Sequence, residues 1–361
     1  MSDPFIIGHE QARTNLAAAH QAGRLPQVLL VTGERGVGKQ TLGRWLAALT
    51  LCENAGAPCG TCRGCRLVAG LSHPDFHWFV PIPRPKASDS DKQVEEVRET
   101  LGEVMAGRRE NSAYLPPDGL AMHGVASARL ILRTGTLTTV HGGRRVILIG
   151  GAERLVPQEA NQEAANALLK FLEEPTAQTI VVLTTTDPSR VLPTIRSRAV
   201  PIRLGRLTPD QVEAGLTRLA PTLSAAERRQ RAAHADGSIG RALAVEGGAA
   251  INDEVEQLLT ATRDGGSARF ERVLKQGPWA ARGDFSLLLD GLTQVLSNAA
   301  RATAGGPTEP VPAMLRDVRV PGRFLRALDR IEAVREAARV NVNPQLLLAT
   351  LTAELSDALW A

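Results

Sequence analysis

The sequence predicts an α/β fold: a doubly wound domain on a five-stranded parallel sheet, then a small helical domain, then a C-terminal all-α domain. Three observations predict it. Apolar runs of strand length alternate with helical runs as far as Leu204. A glycine-rich turn, Gly33 to Lys39, joins the first of these runs to a helix. Beyond Leu207 the apolar residues recur only at helical spacing. The expected boundaries are 1–205 for the sheet domain, 206–248 for the small helical domain and 249–361 for the last one.

Gly8 to Gly23 reads as an opening helix with Leu16 and the alanines on one face, and the first strand follows at Val28 to Val31. Gly33, Gly36, Gly38 and Lys39 then fit the phosphate-binding pattern G-x-x-x-x-G-K, with Val37 inside it. Glycines there let successive N–H groups converge on phosphate oxygens, and the lysine adds a mobile positive charge. The helix from Gln40 to Leu51 aims the positive end of its dipole at the same place. A working loop continues with Ser or Thr, whose hydroxyl holds Mg²⁺, but here Gln40 follows and Thr41 comes one place late. The second Mg²⁺ requirement is an acid ending a later strand. The strand Val146 to Ile149 runs instead into Gly150 and Gly151, and Glu153 lies too far along to replace them. These residues describe a nucleotide-binding fold, for ATP or ADP, that has lost its own catalysis.

Composition bounds the rest. A chain of 361 residues accommodates two or three domains. It is 43% hydrophobic but only 3% aromatic, so Leu, Val, Ile and Ala must fill the cores. The net charge of +4 is compatible with work near DNA without requiring it. Met1 to Ile7 lacks a basic segment followed by an apolar run, and no window reaches the roughly 18 apolar residues of a membrane span. A soluble, cytoplasmic protein is expected.

All four cysteines, Cys52, Cys59, Cys62 and Cys65, fall just after the loop helix. Overlapping C-x-x-C steps with a fourth thiolate nearby suit tetrahedral Zn²⁺, whose sulfurs lie about 2.3 Å from the ion. Gly60 and Gly64 permit the tight turns. With no histidine or acid completing an open position, such zinc is structural. A disulfide, spare thiols or an Fe–S cluster are the competing readings.

His73 and His77 flank a second strand near Phe76 to Val80 and read as ordinary packed or surface residues. Residues 81–124 are polar and punctuated by proline, with a charged helix at Gln93 to Arg109, and read as a surface insertion. A helix near Ala126 to Leu137 precedes the strand at Val146. Ala165, Leu168, Leu169 and Leu172 then lie at helical spacing, with Pro175 as the stop. Thr179 to Leu183 and Val200 to Leu204 are the fourth and fifth strands. In a doubly wound sheet the ligand sits at the carboxyl ends of the strands, where the loop would meet Thr184, Thr185 and Thr186.

NALLKFLEEP at Asn166 to Pro175, the Thr-Thr-Asp-Pro step ending at Pro188 and IRSR at Ile195 to Arg198 resemble the bacterial clamp-loader subunits of the AAA+ class; the four cysteines strengthen the match. The resemblance covers most of residues 5 to 245 and, more loosely, the tail. It implies that Thr186 takes the sensor-1 place and Arg241, in GSIGRAL, the sensor-2 place. Ser197 and Arg198 take the first two positions of a Ser-Arg-Cys motif, with Ala199 where the cysteine would be. Arg198 is then an arginine finger acting in trans on a neighbour's nucleotide, an effect worth about 10³ to 10⁵ in rate, with Arg196 close enough to compete. Gln40, Gly150 and Gly151 separate the chain from the hydrolysing tau/gamma members. The implied partners are tau/gamma and delta subunits in a hetero-oligomeric ring, and through it the sliding clamp and primer-template DNA.

Pro209 to Gln211 start the small helical domain, a lid in that family, and Gly247 and Gly248 mark a hinge. Helical patterns follow at Val255 to Leu259, Leu287 to Val295, Phe324 to Val340 and Gln345 to Leu359, interrupted at Gly305 to Pro312. They fit either the family's C-terminal collar or a self-contained bundle. Three functions stay open: a non-hydrolysing clamp-loader subunit, an active ATPase of the tau/gamma kind, and a DNA-binding module using the cysteine segment.

Overall fold

The computed structural model describes residues 6–54, 56, 58–110, 121–140, 143–155, 163–244, 248–275, 282–306, 311–338 and 343–361. The chain divides into two compact units, one of Met1–Pro116 with Ala121–Ala244 and one holding Val245–Ala361.

The first unit is built on five parallel strands, β1 (Val28–Thr32), β2 (Phe76–Phe79), β3 (Arg145–Gly150), β4 (Thr179–Thr185) and β5 (Val200–Arg203), in the order β2-β3-β4-β1-β5. β3 and β4 are buried along their whole length, as expected of strands covered on both faces. Because side chains alternate across a strand, the sheet feeds two cores. Val28, Leu30, Ile147, Ile149, Val181 and Leu183 face one of them; Leu29, Val31, Val146, Leu148, Ile180 and Val182 face the other. Helices α1 (Glu10–Gln21), α2 (Lys39–Thr50) and α3 (Arg63–Ala69) supply the second core. α2 carries Gly43 against the sheet, where an added Cβ would lie 2.5 Å from Leu148 Cδ1.

α4 (Ser90–Glu110), α5 (Val125–Thr136) and α6 (Glu163–Glu173) cover the opposite face. Here the structure departs from the expected surface insertion: α4 buries Val94, Val97 and Leu101 in that core. Its polar remainder hid a narrow apolar stripe. Ile82 and Met122 bridge the two ends of the segment, while residues 111–120, including the YLPPDG stretch, lie outside the described residues. α7 (Pro193–Arg196) leads into β5.

α8 (Pro209–Leu219), α9 (Ala225–His234) and α10 (Ile239–Ala244) form a small bundle around Val212, Leu216 and Ala242. Reciprocal capping boxes, Thr208 with Gln211 and Ser224 with Glu227, fix the starts of α8 and α9. Contacts place this bundle in the first unit rather than apart from it.

The second unit is all helical: α11 (Gly248–Asp264), α12 (Gly266–Leu274), α13 (Arg282–Thr303), α14 (Pro321–Ala337) and α15 (Pro344–Trp360) share one apolar core. α12 had no sequence expectation, since its Phe270 and Leu274 stay exposed. Gly247, residues 307–310 of the expected break and Val340 lie outside the described residues. Among the described residues no helix is long and apolar enough to cross a membrane.

Candidate nucleotide site and metal centre

The glycine-rich loop leaves β1 at its carboxyl end, beside β4, where Thr32 pairs with Thr185. Gly33, Gly36 and Gly38 all have positive φ. Val37 is buried in the core, and its carbonyl accepts from His9 Nε2 at 2.8 Å. Lys39, at the first turn of α2, folds back and donates to the carbonyls of Gly33 (2.9 Å) and Glu34 (2.6 Å). Burial pulls its ammonium down to about 8, with nearby Glu153 opposing that shift and Arg35 adding to it.

Gln40 fills the space where a metal-holding acid would stand. Its amide rests on Gly150, such that a Cβ there would lie 2.5 Å from Gln40 Nε2. Gln40 Oε1 accepts from Arg108 at 3.3 Å, and the Arg108 guanidinium stacks 4.0 Å from the centre of the Trp78 ring. Thr41 is half-buried one place further along α2.

Glu153, set aside on sequence grounds, sits in a 3₁₀ turn (Ala152–Leu155) that bends it back toward the loop. Its Oε1 accepts from Thr186 Oγ1 at 3.0 Å, so the threonine and the acid occupy each other; Oε2 is buried with no hydrogen-bond partner. His123 donates through Nε2 to the Gly150 carbonyl at 2.8 Å, and full burial pulls it down to about 4.

The small bundle closes on the loop. Gly240 N–H donates to Gly36 O at 3.0 Å, and Ser238 Oγ donates to Arg35 O at 2.9 Å. A Cβ on Gly36 would lie 2.3 Å from Ser238 Oγ. Arg241 pairs with Asp236 (3.3 Å). Asp236 also holds Arg206 (2.7 Å), and Arg206 reaches Glu34 of the loop (2.7 Å). The structure thus brings Gly33, Gly36, Val37, Gly38, Lys39, Gln40, Thr41, Thr186 and Arg241 to one end of the sheet. Their polar groups, where bonded, are bonded to one another or to the chain around them. His9, Arg108, Arg206 and Ser238 were missed because no local motif marks them.

Arg198 lies at the other end. Leu29, four residues before Gly33, pairs with Val200, the first residue of β5, and Arg198 lies in the turn just before that strand. At about 3.3 Å per residue those four positions alone span about 13 Å along the sheet. The Arg198 guanidinium donates through Nη1 to Thr194 O (2.6 Å) and forms an ion pair through Nη2 with Glu173, the last residue of α6. Arg196 is exposed on α7.

The ligand atoms of the four cysteines all lie within 4.8 Å of one another. Cys52 and Cys62 sulfurs are 3.9 Å apart, Cys59 and Cys65 sulfurs 4.0 Å. Four sulfurs about 2.3 Å from one ion would stand about 3.8 Å apart, so these residues fit a metal ion. The amides of Cys62 and Cys65 each point at the sulfur three residues back, at 3.3 Å. Hydrogen bonds from Thr61 and from the Cys62 amide hold Cys59 down to about 5, whereas burial raises Cys52 and Cys65. Gly60 makes the expected tight turn at φ 74°. Gly64 serves differently: it is helical, and a Cβ would lie 2.2 Å from Leu51 O.

With this geometry stand comparisons to known proteins. Residues 8–208 match the family model described as DNA polymerase III, delta subunit. The chain is 35% identical over 173 residues to the DNA polymerase III subunit delta' of Pseudomonas aeruginosa, covering 47% of this chain and 40% of that one. It is 32% identical over 234 residues to the delta' subunit of Escherichia coli, covering 64% and 57%. A tau subunit from Salmonella typhimurium is 30% identical over 209 residues, 57% of this chain and 26% of that one. The chain thus spans about half the length of the delta' relatives. Among solved structures, RuvB from Thermotoga maritima aligns with a TM-score of 0.40 at 16% identity, covering 84% and 79%. A DNA polymerase III gamma subunit-related protein from the same organism aligns with 0.32 at 18%, covering 78% and 95%.

Proposed function

The chain belongs to the DNA polymerase III delta-subunit family, and on that footing we propose that it serves as a delta-prime-type clamp-loader subunit without ATPase activity of its own. It joins tau/gamma and delta subunits in a ring that loads the sliding clamp on primed DNA in the cytoplasm.

The observation that carries this reading is the internal pairing of the nucleotide site. Lys39 is spent on Gly33 and Glu34, Thr186 on Glu153, Arg241 on Asp236, and the bundle is bonded to the loop at Gly36. A ligand would have to break several of these contacts. It would also find Gln40 and Gly150 where Mg²⁺ needs oxygen ligands. Phosphoryl transfer depends on positioning and charge neutralisation, so such a site holds nucleotide weakly and does not turn it over.

Arg198 fits the complementary role. It is remote from its own loop yet close to the surface, so the charge it offers serves a neighbouring subunit's phosphoryl group. The four cysteines hold structural Zn²⁺ behind α2.

ATP binding and hydrolysis by the chain, alone and mixed with its host's tau/gamma and delta subunits, test the reading. An inert chain alone, and a mixture whose hydrolysis is stimulated by clamp and DNA and lost with Arg198→Ala, are expected. Hydrolysis by the chain alone, abolished by Lys39→Ala, would establish the second reading, an ATPase of the tau/gamma kind. One observation favours that alternative: the buried, unpaired Oε2 of Glu153 beside Lys39.

A further inference from the structure

We propose that Glu173 is a positioning residue for Arg198, setting its guanidinium before a neighbour's nucleotide arrives; this rests on the trans role just given to Arg198.

An arginine that must meet a developing charge works best when its planar fork is held before the reaction, because a free side chain would lose rotamer freedom at that moment. Most surface arginines have no such support. Arg198 has two supports on different elements. Its Nη1 is anchored to the Thr194 carbonyl in α7, and its Nη2 to the carboxylate of Glu173 at the end of α6. Its Nε is buried without a partner, so the inner edge of the group is enclosed by the protein. Each terminal nitrogen carries two hydrogens, and each anchor takes one. The hydrogens left over on Nη1 and Nη2 remain available to a phosphoryl oxygen.

Glu173 itself stands at an unfavourable place for a carboxylate. It is the last residue of α6, at the negative end of the helix dipole, which disfavours an acid. Arg198 supplies the compensating charge. The pair is partly exposed, with side chains 28% and 47% accessible, so a neighbour can reach it. Arg196, the competing arginine, has no ion pair among the described residues and lacks this mounting.

The test is ATP hydrolysis by the loader assembled from this chain with its host's tau/gamma and delta subunits, comparing wild type, Glu173→Ala, Glu173→Gln, Arg198→Ala and the double variant Glu173→Ala/Arg198→Ala. Expected is a fall in kcat of about 10- to 100-fold for Glu173→Ala. The KM for ATP should stay unchanged, because the neighbour binds the nucleotide. Glu173→Gln, which keeps the hydrogen-bond acceptor, should recover part of the rate. Adding Glu173→Ala to Arg198→Ala should slow it no further. If Arg198→Ala slows the loader but Glu173→Ala does not, or if the two losses multiply, the positioning role is overturned while the trans role of Arg198 stands. If Arg198→Ala leaves the rate unchanged, both fall together.

Discussion

The amide of Gly240 donates to the carbonyl of Gly36 across 3.0 Å, and the two residues pack so tightly that a Cβ on Gly240 would lie 2.7 Å from the Gly36 Cα. The glycine-rich loop and the small helical bundle therefore share a backbone hydrogen bond. Gly240→Ala should force them apart, at a cost of about 1 to 3 kcal/mol. Hydrogen exchange of the amides between Glu34 and Gly38 should quicken. Unchanged protection there would mean that the contact does not hold the loop.

Gln40 and Gly150 form a second coupled pair. Restoring the acid alone, as Gly150→Asp, drives a side chain into the Gln40 amide. Gln40→Thr removes that obstruction. A double-mutant cycle in urea should therefore show the pair less unstable than the sum of its single variants, by about 0.5 to 3 kcal/mol. Additive losses would contradict the steric account.

Two histidines, His123 buried and His77 half-buried, set a pH limit. His77 and His123 are both held near 4 by burial, against 6.5 in the unfolded chain. A folded-state value below the unfolded one gives stability that is present above pH 6.5 and lost as pH falls from there toward 4. By pH 5 the loss should reach about 2 kcal/mol for each residue. Urea titrations at pH 7 and pH 5 would read it. His123→Gln should flatten part of the dependence, and an equal slope in that variant would discount the histidine.

The cysteine cluster predicts one equivalent of zinc per purified chain. A strong chelator should release it, lower the melting temperature and expose Cys65, now fully buried, to thiol reagents. Cys62→Ser should reproduce the chelated state, because it removes one of the four thiols that could hold the ion while its hydroxyl can still cap α3. A metal-free preparation with the wild-type melting temperature would remove the structural role.

The strands were legible because burial on both faces leaves near-continuous apolar runs, as in Val146 to Ile149, and the loop and cysteines because their spacing is local. What escaped depends on contacts between distant segments. Glu153 lies in the turn expected after the strand, but its contact with Thr186 was not legible, because a 3₁₀ turn has no periodicity to show where it returns the side chain. Arg108 reaches Gln40 across 68 positions, which no motif records. The core role of α4 was masked by charges on its other faces, leaving only Val94, Val97 and Leu101 to show it. Gly64 was recognised as necessary for the wrong reason, since its demand comes from the Leu51 carbonyl and not from a turn.

The distance between the two ends of the sheet also bears on inheritance. Gly33 follows the carboxyl end of β1 while Arg198 precedes the amino end of β5, with the paired length of the two strands between them. A substitution in the loop leaves the arginine undisturbed, and the reverse holds. The two ends can therefore diverge at different tempos, each under its own constraints.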